Sequence, residues 1–269
     1  RTCTRPDKPA CPMGCAYAKE PPPDLSTVDG GVNGGIGSIT TKQTGFVLKQ
    51  KMWSWSGDSF DIKDHEGNIV YKVKGKALSL RKERAQREAE RDTMHVSDAN
   101  DTKVAVLQKK LAASRTPYGG ITFQLYSYAP NFDGQPSTEK DKDGELLYRY
   151  AYITDKLLSN PLWRQIVKLY ANSNEESEAV GLMVNYVQLR FISFRCRIKT
   201  YATPEEKKAG KEQEIIGLAG ETKFFQWEFA TEMGIELAAG VDSLMALMLC
   251  VAAEKTKEEL QISYGPGGC

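Results

Sequence analysis

Histidine is nearly absent: the chain carries two, His65 and His95, in 269 residues. Neither stands in a nucleophile or metalloprotease motif, and the chain contains no G-x-S-x-G and no H-E-x-x-H. Both read as solvated or structural residues. An excess of charge of one sign is also missing, since 36 basic and 35 acidic residues leave a formal net charge of +1. That balance excludes nucleic-acid binding driven by bulk charge. Long apolar runs are lacking too. The longest, from Leu244 to Ala253, has ten residues, whereas a bilayer-spanning helix needs about 20. The carboxylates lie mostly in mixed charge runs, and no pair of them stands out. Together these absences point away from an enzyme, a resident metal or a cofactor.

What is present fits a soluble, core-forming chain, with 41% hydrophobic and 26% charged residues. A chain of this length buries a sizeable core without needing a disulfide or a metal. The six cysteines fall at 3, 11, 15, 196, 250 and 269. Cys196 and Cys250 sit in strand-like and apolar runs and read as core residues. Cys3, Cys11 and Cys15 match no zinc spacing and lack a nearby histidine. A disulfide, free thiols or a covalently attached ligand on a tail cysteine all stay open for them.

Residues 1–45 differ from the rest, holding six of the twelve prolines and seven of the 23 glycines. Such a segment cannot build its own core and reads as an extended arm over 1–44. An arm of this kind gains order against another surface, and neighbouring protein subunits are the expected surface. Met13, Tyr17 and Leu25 are its anchor candidates, because a few apolar side chains dominate such contacts. The opening Arg1 suggests a processed chain, organellar and plastid-like rather than cytosolic.

From Phe46 onward, short alternating segments separated by turns predict strands. They are expected at 46–53, 59–63, 69–73, 77–80, 103–108, 121–128, 146–153, 163–169, 215–218, 224–229 and 233–237. A further long strand, bent inside, is expected over 181–201. The cluster at 64–68 reads as a turn. Lys72, Lys74 and Lys76 alternate and would share one face of a strand. With Arg81 they form a candidate patch for anions or lipid headgroups. Asn100-Asp101-Thr102 is a glycosylation sequon that matters only in a secreted chain.

The run after Gly240 predicts a helix, capped by Asp242 or Ser243. Ten consecutive apolar residues make nearly three turns, so every face is apolar and the helix must be enclosed. At about 15 Å it is too short for a bilayer core. Protein must therefore surround it, with Leu244, Leu247, Met248 and Val251 as its core contacts. The expected fold is mainly β: about twelve strands in a closed barrel around a central C-terminal helix.

Three segments carry a family resemblance: Trp55-Ser56-Gly57-Asp58, then 64–68, then Val73-Lys74-Gly75-Lys76. Ala239-Gly240-Val241-Asp242 before the apolar helix adds a fourth. Over about 45–260 the chain resembles the LURP-one-related proteins of the tubby C-terminal-like superfamily. The resemblance implies a twelve-stranded barrel around a helix, with a short tail at 261–269. It marks 129–160 and 202–214 as insertions. Tubby relatives bind phosphoinositides and scramblase relatives act at membranes, so the resemblance implies an anionic membrane surface as one alternative. The favoured expectation is a scaffold or linker whose terminal arms bind subunits of a larger assembly, such as a plastid light-harvesting complex.

Overall fold

The structure is a computed structural model. It describes residues 39–50, 59–75, 93–110, 122–137, 139–159, 162–170, 181–190, 193–201, 209, 214–221 and 232–263. The expected strands at 77–80 and 224–229, and the arm residues Met13, Tyr17 and Leu25, lie outside the described residues.

Thirteen strands precede one helix in the described chain. They are β1 (Thr44–Gln50), β2 (Ser59–Asp64), β3 (Ile69–Gly75), β4 (Thr93–Asp98), β5 (Lys103–Lys110), β6 (Thr122–Ser127) and the two-residue β7 (Glu139–Lys140). Then come β8 (Leu146–Ser159), β9 (Leu162–Leu169), β10 (Gly181–Arg190), β11 (Ser193–Tyr201), β12 (Glu214–Glu221) and β13 (Glu232–Leu237). The helix α1 covers Ser243–Ser263. The protein is thus mainly β with a C-terminal helix. Every strand pairing is antiparallel, in the order β6-β5-β4-β3-β2-β1-β13-β12-β11-β10-β9-β8-β7, and β6 pairs in addition with β8.

Three elements depart from the sequence expectation. Residues 181–201 form two strands, β10 and β11, folded back on each other from Leu182↔Tyr201 to Arg190↔Ser193. Between Arg190 and Ser193 the sequence offers no Gly, Pro, Asn or Asp, so the pattern reads as continuous. β4 was not expected at all, because Met94 and Val96 are its only apolar residues and six residues give little periodicity. Residues 146–159, marked as part of an insertion, are a strand of the sheet itself, with β6 on one flank and β9 on the other.

The inner face of the sheet is built by period-two alternation. In β2 and β4 alternate residues are buried, Phe60 with Ile62 and Met94 with Val96. Leu48, Ile62, Leu107, Leu125, Ile153 and Ile235 join counterparts from β3, β4, β9, β11 and β12 in one apolar cluster. That cluster contains the helix. Every residue from Val241 to Thr256 is buried, and Leu244, Leu247, Met248 and Val251 are fully inaccessible. The enclosure forced by an all-apolar surface is therefore met. Large side chains buried this way each contribute roughly 1.5–3 kcal/mol. Cys250 is a free, buried thiol within the same run.

The helix start is tied to the sheet by polar groups. Asp242 caps it: Oδ1 accepts the N–H of Met245 at 3.1 Å and Oδ2 accepts the Tyr150 hydroxyl at 2.6 Å. Burial, then the neighbouring Asp242 charge and this hydrogen bond, push the Tyr150 pKa well up, so it stays a donor. Thr40 secures the preceding turn. Its N–H donates to the Val241 carbonyl at 3.0 Å, and its own carbonyl accepts the Gly240 N–H at 2.6 Å. Its hydroxyl lies 2.5 Å from the Ala238 carbonyl. At the far end Lys255 stands over the Phe60 ring at 5.5 Å, and the Thr256 hydroxyl meets Asp155. The helix continues to Ser263, past the expected boundary at 260.

Leu247→Ala removes a fully buried side chain from an enclosed site. It should cost about 2–5 kcal/mol in a urea unfolding experiment, through lost transfer energy plus a cavity. Tyr150→Phe, which leaves Asp242 short of one donor, should cost about 1–3 kcal/mol. Unchanged midpoints for both would mean that the helix is not held as described.

Candidate functional site

The strand order puts three hairpin turns at the same end of the sheet as the helix cap. β1 starts there, since Thr44 pairs with Leu237 and Phe46 with Asp64. The turns at 64–68, 98–102 and 141–145 share one plan. The first-residue N–H donates to the fifth-residue carbonyl, and the fourth-residue N–H donates back to the first carbonyl, at 2.9–3.1 Å. Each opening aspartate, Asp64, Asp98 or Asp141, accepts two more backbone N–H groups through Oδ1 at 2.9 Å. The fourth residue is left-handed in all three: Gly67 at φ 89°, Asp101 at 62° and Gly144 at 85°. Asp is among the few residues besides Gly that tolerate this conformation. Only the first of these turns was read from sequence. The signal for the others was an aspartate followed by a Gly or Asp three residues later.

The third turn surrounds Lys103. Its ammonium has three N–H bonds and finds three carboxylates: Asp141 at 3.0 Å, Asp143 at 2.6 Å and Glu145 at 2.6 Å. These bonds raise its pKa, so the charge is permanent. Burial alone would raise the Asp141 pKa. The bonds from Lys103, the Glu145 and Asp143 backbone and the Tyr128 hydroxyl outweigh it and hold the carboxyl well below the usual range. No sequence feature marked Lys103, because its partners lie about forty residues away.

The turn anchors a strap, residues 128–137 with 139–147, on the outer face of β5 and β6. Val106 and Tyr126 point outward there and are buried with Leu147 against Tyr128. The Tyr126 hydroxyl lies 2.7 Å from Glu139, and the Tyr128 hydroxyl 3.1 Å from Asp141. Asn131 and Gln135 donate to the Arg149 carbonyl at 2.7 and 2.9 Å.

The basic face is only partly described. Lys72 and Lys74 do share the outward face of β3, but both reach Asp101, at 3.0 and 3.8 Å. The Lys72 hydrogen bond comes first among the causes that lower the Asp101 pKa. Across the strands a row of alternating charge forms: Glu232 on β13, Lys49 on β1, Asp61 on β2 and Lys72 on β3, each opposite the next. Lys49 bonds Glu232 at 2.9 Å. Such pairs support sheet register more than affinity for an external anion. Lys76 and Arg81, and the tail cysteines Cys3, Cys11, Cys15 and Cys269, lie outside the described residues. His65 is exposed in its turn. Among the described residues no group of three or more His, Cys, Asp or Glu could hold a metal ion. No described helix is long and apolar enough to cross a membrane.

A family profile described as LURP-one-related matches residues 44–254, from the start of β1 to the last buried turns of α1. The chain belongs to the LURP-one-related family. No curated protein and no solved structure matches it. The match includes the Asp64 turn, the strap and the Asp242 cap, so the whole outer site described above lies inside the family domain. The family's boundary at 254 also falls inside α1, which continues to Ser263.

Lys103→Met keeps the apolar stem and removes the ammonium. The fit predicts a lower urea midpoint at neutral pH. Because the depressed carboxyls contribute stability above their ordinary pKa and lose it as pH falls, the gap to the native chain should narrow near pH 3. An equal gap at both pH values would mean that the loss does not come from the pairing of Lys103 with these carboxylates.

Proposed function

We propose that the protein is a non-enzymatic scaffold or linker. In this reading twelve strands form a closed tubby-like barrel around α1, and the arms at its ends bind neighbouring subunits of a larger assembly. A plastid light-harvesting complex is one such assembly. The observation that carries the reading is the filled interior: residues 241–256 are buried on every side of the helix. A domain whose inside is occupied by its own helix works through its outer surface and its ends. The pairing of β6, the first strand of the order, with β8, the last but one, supports the closed form.

The root of the arm adds support. Thr40 is 8% exposed and hydrogen-bonds on both sides of the helix cap, while Ile39 bridges to Asp242. A partner holding the arm would thus be tied to the best-packed part of the domain rather than to a loose tail.

A second reading is an anionic membrane surface bound by Lys72, Lys74, Lys76 and Arg81. It is weaker, because Asp101 accepts from both described lysines and Asp61 faces Lys72.

Deletion of residues 1–38, which keeps Thr40, should leave the unfolding transition in place and abolish co-purification with the native assembly. Association that survives the deletion would sink the scaffold reading. Flotation of the full chain with anionic vesicles, lost in a Lys72→Glu, Lys74→Glu double variant, would establish the membrane reading in its place.

A further inference from the structure

We propose that His95 is an acid-sensitive latch for the strap that covers the outer face of β5 and β6. The argument starts from position. β4 alternates, with Met94 and Val96 in the core, so His95 faces outward. Its strand neighbours are Lys74 on β3 and Val106 on β5. Val106 is 2% exposed beneath the strap, in contact with Tyr126 and Leu147. The imidazole therefore stands at the strap's margin, half-buried beside the apolar patch that the strap seals. Its Nδ1 is buried and has no hydrogen-bond partner.

The charges facing it come from three elements. Lys74 stands opposite on β3, itself 3.8 Å from Asp101. Lys103 approaches from β5, and Asp141, Lys142 and Asp143 from the strap's turn. A neutral imidazole fits this place. A protonated one must bury a new N–H with no acceptor at Nδ1 and a new charge among three lysines. Burial, then Lys142 and Lys103, depress the His95 pKa, and the attraction of Asp141 and Asp143 offsets only part of this. Lifting the strap hydrates the ring and restores its ordinary value near 6.5.

The sign follows by linkage. The lifted form binds the proton more readily than the docked form. Acidification through about pH 6.5 thus favours lifting, and the effect levels off once the docked form is protonated as well. Asp141 and Asp143 are held below their ordinary range, so the Lys103 anchor stays charged throughout that window. The anchor and the latch therefore titrate apart: the anchor keeps the strap at the turn while the latch lets go at its margin.

Amide hydrogen exchange of the full chain at about pH 7.5 and about pH 5.5, corrected for intrinsic rates, tests this. Protection of the Asn131 and Gln135 amides, which bond within the strap away from the anchored turn, should fall at least about threefold at the lower pH, while the Asp141 and Gly144 amides of the turn keep theirs. Amides of the inner strands, such as Leu125, should keep theirs. His95→Gln should remove the difference between the two pH values. Lys142→Gln, which leaves the histidine in place and takes away a repelling charge, should shrink it. It carries the test if His95→Gln does not fold. Equal protection at both pH values in the native chain overturns the proposal. So does a fall that persists in the folded variants, or one shared equally by strap and inner strands, which reports global unfolding.

Discussion

A helix with apolar residues on every face has no side it can turn to water, and its first amides and last carbonyls still need partners. Those two demands conflict, because enclosing the helix removes the water that would otherwise satisfy its ends. The structure resolves the conflict at the amino end with side chains. Asp242 takes the Met245 amide and the Tyr150 hydroxyl together, and Thr40 closes the turn before it. The chain's first described residues, a strand from its middle and its last helix meet at that point. Cores of this kind are close-packed, so a change at one of these contacts is felt by the others.

The outer face follows a different rule. It is charged, yet its charge is spent internally. Lysines on β1 and β3 stand opposite carboxylates on β13 and β2, and Asp101 in a hairpin turn takes both β3 lysines. Lys103 is the extreme case, with each of its N–H bonds on a separate carboxylate. Exposed single pairs are worth little. Here the pairs form a network with fixed backbone turns, so their effect is to set register and to hold the strap in place. This is why a face that reads as basic along one strand is close to balanced once its neighbours are beside it.

Much of the fold was legible along the chain. The helix could be read because ten apolar residues in a row admit few solutions. Most strands could be read because period-two alternation is strong when one face is buried. The readings that failed share a cause. β4 is short and its inward residues number two. Between β10 and β11 the sequence offers no Gly, Pro, Asn or Asp, so the two strands read as one run. β8 looked like part of an insertion because it follows a polar loop, although its own alternation was visible at 146–153. The candidate site was less legible. Lys72 and Lys74 were found, but not Asp101, and neither Lys103 nor the strap left a local mark.

The amino-acid sequence by itself determined that this protein is mainly β with an enclosed C-terminal helix, since apolar periodicity and the length of an apolar run depend on nearby residues alone. Its resemblance to the LURP-one-related proteins was carried by short local motifs in the same way. Only the tertiary structure decided which charges neutralise which, where the strap lies and what surrounds His95. Those are contacts between residues 11 to 183 positions apart. The energy of a salt bridge or a buried imidazole depends on distance in space, and one-dimensional order does not contain that distance until the strands have paired.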